Sequence, residues 1–207
     1  MYRRRYCANC AGGCMSRLKR VAIFFSGQGG GAENLIKSSF NSNLYTVPLL
    51  ISSNPHAHGV SRLAPFNVPI RIVSWGKESN NSQVSAECFQ ICDDFQIDVI
   101  CLAGWLKQLV LPEKWTGRVL NIHPSLLPLF GGKGMYGLRV HKAVLESRLT
   151  TSGCTVHLID NDLDRGQILG QSALLIDPND TPETLQAKIY KLELQLYPQV
   201  LNTFLSS

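Results

Sequence analysis

Short apolar runs broken by turn-forming residues set the pattern of the chain up to Pro128. Arg20–Ser26 (RVAIFFS), Leu44–Ser53 (LYTVPLLISS), Val68–Trp75 (VPIRIVSW), Val99–Ala103 and Val119–Ile122 are rich in β-branched side chains and are predicted to be buried strands. Between them the spacing becomes helical. GAENLIKSSF follows the first run, and Val84, Cys88, Ile91, Cys92 and Phe95 recur at helical intervals from Ser82 to Phe95. This alternation predicts an α/β fold, a doubly wound and mostly parallel Rossmann-like sheet in a single domain. Beyond Pro128 the order changes to a glycine-rich loop, a helix through HKAVLES, and two strands joined by a polar loop within TSGCTVHLIDNDLDRGQILGQSALLI. A last helix opens with Thr181 as N-cap and Pro182 at its first position, and carries the stripe Leu185, Ile189, Leu192, Leu196 and Val200.

Composition narrows the picture. With 207 residues and 44% apolar content the chain can bury one substantial core. No apolar run reaches the ~18 residues of a membrane helix, and the first residues lack the apolar stretch of a secretory signal, so a soluble, cytoplasmic protein is expected. The net charge of +5 hints at nucleic acid only until the charges are located. Arg3, Arg4, Arg5, Arg17, Lys19 and Arg20 stand in the first twenty residues with no acid, leaving 14 basic and 15 acidic residues, a net of −1, in the rest. Residues 1–19 therefore read as a basic, flexible extension to a domain spanning 20–207, and Met15 would make a natural start. Cys7, Cys10 and Cys14 lack a fourth ligand nearby, which argues against a metal. Cys88, Cys92, Cys101 and Cys154 lie in apolar-periodic segments and are expected as reduced core residues.

Candidate chemistry gathers where the strands end. The alternation of a strand puts Asn121 and His123 on one face, at the place where open α/β sheets bind ligands. The first strand runs into Gly27, Gln28, Gly29, Gly30, Gly31 and Ala32 before a helix, an arrangement that suits an anion because backbone N–H groups converge there. It also fits a dinucleotide fingerprint, but no Asp or Glu lies between Glu33 and Glu78 to hold a ribose, which argues against NAD. A smaller ligand's phosphate and a packing turn both remain open. His56 and His58 are expected in a solvated turn, and His141 on a helix surface. Thr155 and His157 share a strand face, where His157 suits a bonded core histidine and a substrate contact equally; Asp160, Asp162 and Asp164 occupy the loop beyond.

NIHPSLLP after a buried strand, followed downstream by GCTVHLIDNDLDRGQIL, resembles the folate-dependent formyltransferases. Within them the chain is most similar to the small enzymes of purine biosynthesis that formylate glycinamide ribonucleotide, from Arg20 to about Leu201. The resemblance implies 10-formyltetrahydrofolate as co-substrate, no metal, small-molecule partners without nucleic acid or membrane, and a monomer or homodimer. It places the catalytic roles on Asn121, His123 and Asp164. It lines the folate pocket with Leu106, Lys107, Gln108 and Leu109, with Asn121, and with the loop Asp160, Asn161, Asp162, Leu163 and Asp164. It assigns the ribonucleotide to Gly29, Gly30 and Gly31 and to Tyr190, Lys191, Leu192 and Glu193. The family usually carries Ser and Asn where Gly30 and Gly31 stand, an arginine near Asn81, and an arginine where Lys107 stands. Those departures keep two alternatives in view: formylation of another amine, such as a sugar amine, and folate binding without turnover.

Overall fold

The computed structural model describes residues 17–76 and 79–207, so the cysteines and arginines of the first fourteen residues lie outside the described part. Seven strands form one sheet: β1 (Lys19–Phe25), β2 (Tyr45–Ser52), β3 (Ile70–Ile72), β4 (Val99–Leu102), β5 (Val119–His123), β6 (Thr151–Leu158) and β7 (Ile168–Leu175). Among the described residues, five α-helices connect or cover them: α1 (Gly30–Phe40), α2 (His58–Leu63), α3 (Asn81–Asp94), α4 (Leu138–Glu146) and α5 (Pro182–Ser206). The strand order is β3-β2-β1-β4-β5-β6-β7. The four pairings among the first five strands of this order are parallel, and β5–β6 and β6–β7 are antiparallel.

The alternation of side-chain direction along a strand explains both faces. On β1, Val21, Ile23 and Phe25 join the core beneath α1, α4 and α5, while Ala22 and Phe24 join the core beneath α3. A strand buried on both sides reads as an unbroken apolar run, which is why RVAIFFS lacks polar alternation. Asp98 fastens the start of this strand: its carboxylate accepts from the Arg20 backbone N–H at 2.8 Å and pairs with Arg17 at 2.7 Å. The free thiols of Cys88, Cys92, Cys101 and Cys154 are buried, and burial pushes those of Cys88, Cys101 and Cys154 up to about 12, so they are packing groups rather than nucleophiles.

The third apolar run is a shorter strand than its sequence suggests. Only Ile70–Ile72 pairs regularly with β2, because Val73 and Trp75 turn inward as core residues while their N–H groups reach Ser52 and Ser53. The placement of β4 on the far side of β1 from β2 makes a topological switch point between them. The loops after β1 and β4 consequently diverge and leave a crevice at the carboxyl ends of the strands.

Candidate functional site

A cleft of about 760 Å³ opens at that switch point. The loop after β1 forms its one end. Gly29 caps α1 in the left-handed region (φ 73°) and supplies no side-chain cap, so the first N–H groups of α1 are left to face the cleft beside Gly30 and Gly31. The loop after β4 brings Leu106, Lys107, Gln108 and Leu109 to the other end. Facing them is the β6–β7 loop from Asp160 to Asp164; the Asn161 side-chain Oδ1 ties the two walls together by accepting from the Leu111 N–H at 3.3 Å. Tyr190 and Glu193 of α5 also reach the cleft. Lys191 and Leu192 do not: a helix turns about 100° per residue, so positions 190 and 193 share a face. Lys191 is exposed, and Leu192 packs on the core.

The middle of the cleft is polar and tightly wired. β5 and β6 run antiparallel with Asn121 opposite His157, so their side chains share one face. Asn121 Nδ2 lies 3.1 Å from His157 Nε2, and His157 Nδ1 lies 2.9 Å from the Leu158 carbonyl. A carbonyl accepts only, so Nδ1 carries the proton and Nε2 accepts from the Asn121 amide. Burial lowers the His157 pKa and keeps this ring neutral. One N–H of the Asn121 amide is thereby spent on orientation. Its second N–H remains for the cleft.

His123 is held by the turn that follows it. Ser125 donates to the Leu129 carbonyl at 2.6 Å, and Thr155 donates to the Ser125 carbonyl at 2.7 Å while accepting from the Leu127 N–H. The Leu127–Pro128 peptide is cis. This turn sets the Phe130 carbonyl 2.8 Å from His123 Nε2, so Nε2–H donates there and Nδ1 faces Asp164 Oδ2 at 3.6 Å. The other carboxylate oxygen of Asp164 lies 3.6 Å from His157 Nε2. Asp164 has a positive φ of 56° and accepts from the Gly132 N–H at 2.8 Å, which fixes the carboxylate between the two imidazoles. Asn121 and His123 of β5 and Asp164 of the β6–β7 loop thus surround one space. Among the described residues no group of three or more His, Cys, Asp or Glu side chains is arranged to hold a metal ion.

Comparison with known proteins gives this arrangement its family. The formyl transferase family model matches residues 19–201. The chain belongs to the formyl transferase family. It is 35% identical over 189 residues to the chloroplastic phosphoribosylglycinamide formyltransferase of Arabidopsis thaliana, an alignment that covers 89% of this chain and 65% of that protein. It is 34% identical over 185 residues to the trifunctional purine biosynthetic protein adenosine-3 of Homo sapiens, with 88% and 18% of the two chains covered. The chain therefore spans just under two thirds of the plant relative and less than a fifth of the human one. Among solved structures, phosphoribosylglycinamide formyltransferase from Bacillus halodurans superposes with a TM-score of 0.81 at 35% identity, covering 91% of this chain and 96% of that one.

Two further side chains of this formyl transferase domain complete the site. Glu193 is half-buried at the cleft wall, and desolvation raises its pKa to about 7. His141 corrects the expectation of a surface histidine: it is 1% exposed, lines the cleft, and its Nδ1 has no hydrogen-bond partner among the described residues. The sequence signal lay in its neighbours, since Val140, His141 and Val144 share the buried stripe of α4. Desolvation, reinforced by His123, lowers the His141 pKa to about 4.

A depressed folded-state pKa means that the unfolded chain takes up the proton first as pH falls. Stability contributed by the neutral ring is therefore present above about pH 6.5 and is lost between about 6.5 and 4, an effect on the order of 2 to 3 kcal/mol. Urea unfolding of wild type and His141→Leu at pH 7 and pH 4.5 is expected to show the smaller acid loss in the variant. Equal losses in the two proteins would remove His141 from this role.

Proposed function

We propose that this chain transfers the formyl group of 10-formyltetrahydrofolate to the primary amine of glycinamide ribonucleotide, a step of purine biosynthesis. The observation that carries the reading is the convergence of Asn121, His123 and Asp164 on one space between an anion-suited glycine loop and an apolar pocket. The names of the aligned relatives support glycinamide ribonucleotide as the acceptor over a sugar amine. Its folate would lie between Leu106–Leu109 and Asp160–Asp164, where aliphatic side chains cover the ring faces and backbone groups meet its polar edge. The ribonucleotide would lie from Gly29–Gly31 to Asn121, with its phosphate on the N–H groups of α1 and its ribose near Glu193.

The chemistry follows from the wiring. The acceptor amine attacks the formyl carbon, a new C–N bond forms, and the formyl oxygen becomes an oxyanion. The free N–H of Asn121 and the His123 imidazole, through Nδ1 beside Asp164, stabilise that charge by directed hydrogen bonds. The amine loses a proton, the bond from carbon to the folate nitrogen breaks, and that nitrogen gains a proton; Asp164 mediates the transfer through water. No covalent bond to the protein is needed. The same reading keeps the partners small molecules, the chain a monomer or homodimer, and its place the cytoplasm.

Purified protein mixed with 10-formyltetrahydrofolate and glycinamide ribonucleotide is expected to release tetrahydrofolate and formylglycinamide ribonucleotide in equal amounts. Folate release without formylated acceptor would favour hydrolysis, and tight folate binding with no release would favour a relative without turnover. Either result overturns the proposal.

A further inference from the structure

Two side chains from distant parts of the chain close the cleft over the glycine loop: Arg62 from α2 and Tyr190 from α5. A β-carbon built on Gly30 would overlap the Tyr190 hydroxyl and lie 3.2 Å from Arg62 Nη1. The hydroxyl stands where a side chain at position 30 would begin. Gly30 is therefore a consequence of Tyr190 rather than a loss of contacts by itself. Gly31 is less constrained, since its nearest contact would be the Ala103 side chain at 3.3 Å.

Charge at this end is arranged in the same economy of space. Arg62 Nη1 lies 3.5 Å from Glu33 Oε2, while Glu33 Oε1 accepts from Lys37 at 2.6 Å. Two cations thus share one carboxylate. Arg62 keeps a side chain that is 45% exposed, so its guanidinium can turn to an incoming anion while Lys37 continues to pair Glu33. A planar guanidinium offers two parallel N–H donors to a phosphate, which the polar side chains absent from positions 30 and 31 cannot supply here.

We propose that Arg62 is the cation that receives the phosphate of the acceptor, and that Gly30 and Tyr190 form an exclusive pair, a side chain at position 30 and the Tyr190 hydroxyl competing for one space beside Arg62. This rests on the acceptor reading above for the identity of the ligand.

Titration of ribose 5-phosphate tests the anion site without turnover. Arg62→Ala is expected to weaken its binding at least about tenfold, with Arg62→Lys intermediate and ribose itself unaffected. A change below about twofold in Arg62→Ala, with the melting temperature retained, overturns the assignment of Arg62. In the transfer assay, Gly30→Ser is expected to raise the acceptor KM about tenfold, with kcat and the folate KM held within about twofold. The double variant Gly30→Ser with Tyr190→Phe is expected to bind the acceptor as well as Tyr190→Phe alone, because the overlap has been removed. Additive losses in the double variant overturn the exclusive pair. A wild type that binds ribose 5-phosphate through Arg62 but does not formylate the ribonucleotide would defeat the acceptor reading and leave the anion site standing. A wild type that formylates it, with Arg62→Ala unchanged, would do the reverse.

Discussion

Asn121→Ala is expected to lower kcat for formyl transfer by on the order of 100- to 1,000-fold, with the KM for both substrates changed only a few-fold. The reason is geometric. The amide nitrogen is held at 3.1 Å from a neutral His157, so its remaining N–H is aimed before the substrate arrives and needs no reorganisation as charge develops. Alanine removes that donor at the moment when the formyl oxygen becomes an anion, which is a transition-state loss rather than a binding loss. His123→Ala is expected to act on the same step with an effect of about the same order. Asn121→Ala and His123→Ala combined should then cost far less than the product of the single effects, since both groups serve one oxyanion. Steady-state kinetics of the three variants decides the matter: singles with kcat near wild type would place the oxyanion elsewhere.

Asp164→Asn is expected to reduce kcat by on the order of 100- to 10,000-fold while leaving folate affinity within a few-fold. Asparagine keeps an oxygen for the Gly132 N–H, 2.8 Å from the carboxylate in the wild type, and it tolerates the positive φ of 56°. The loop is thereby preserved while the charge facing His123 and His157 is lost. A comparison with Asp164→Ala separates the two contributions, because alanine also releases the 131–137 loop and should weaken folate binding as well as turnover. If Asp164→Asn retained more than about a tenth of wild-type kcat, the carboxylate would be a loop fastener and not a proton carrier.

The parts of this protein that proved legible were those governed by local rules. Strand and helix periods located nearly every element, because a strand buried on both faces and a helix with one buried stripe leave different spacings behind them. The third run misled in extent only: Val73 and Trp75 are apolar because they fill the core beneath α3, which one-dimensional spacing cannot tell from pairing in a sheet. His141 misled more seriously. A single histidine within a helical stripe has the same spacing as an apolar residue, and its burial depends on which face α4 turns to the sheet. Lys191 and Leu192 were carried along by their neighbours in a continuous stretch, although the helical turn lets only Tyr190 and Glu193 reach the cleft.

By itself the sequence determined the alternating α/β order, the glycine loop after the first strand, and the presence of Asn121 and His123 together at the end of a core strand. All three follow from interactions between residues close in the chain. Only the tertiary structure decided that β6 runs antiparallel to β5, which brings His157 onto the Asn121 amide and leaves one of its two N–H groups free. It alone decided that the Phe130 carbonyl takes His123 Nε2 and turns Nδ1 towards Asp164, and that Tyr190 fills the space beside Gly30. Apart from the turn that sets Phe130 against His123, these pairings join groups far apart in sequence, and their distances are set by the packing of whole elements, which no local preference encodes.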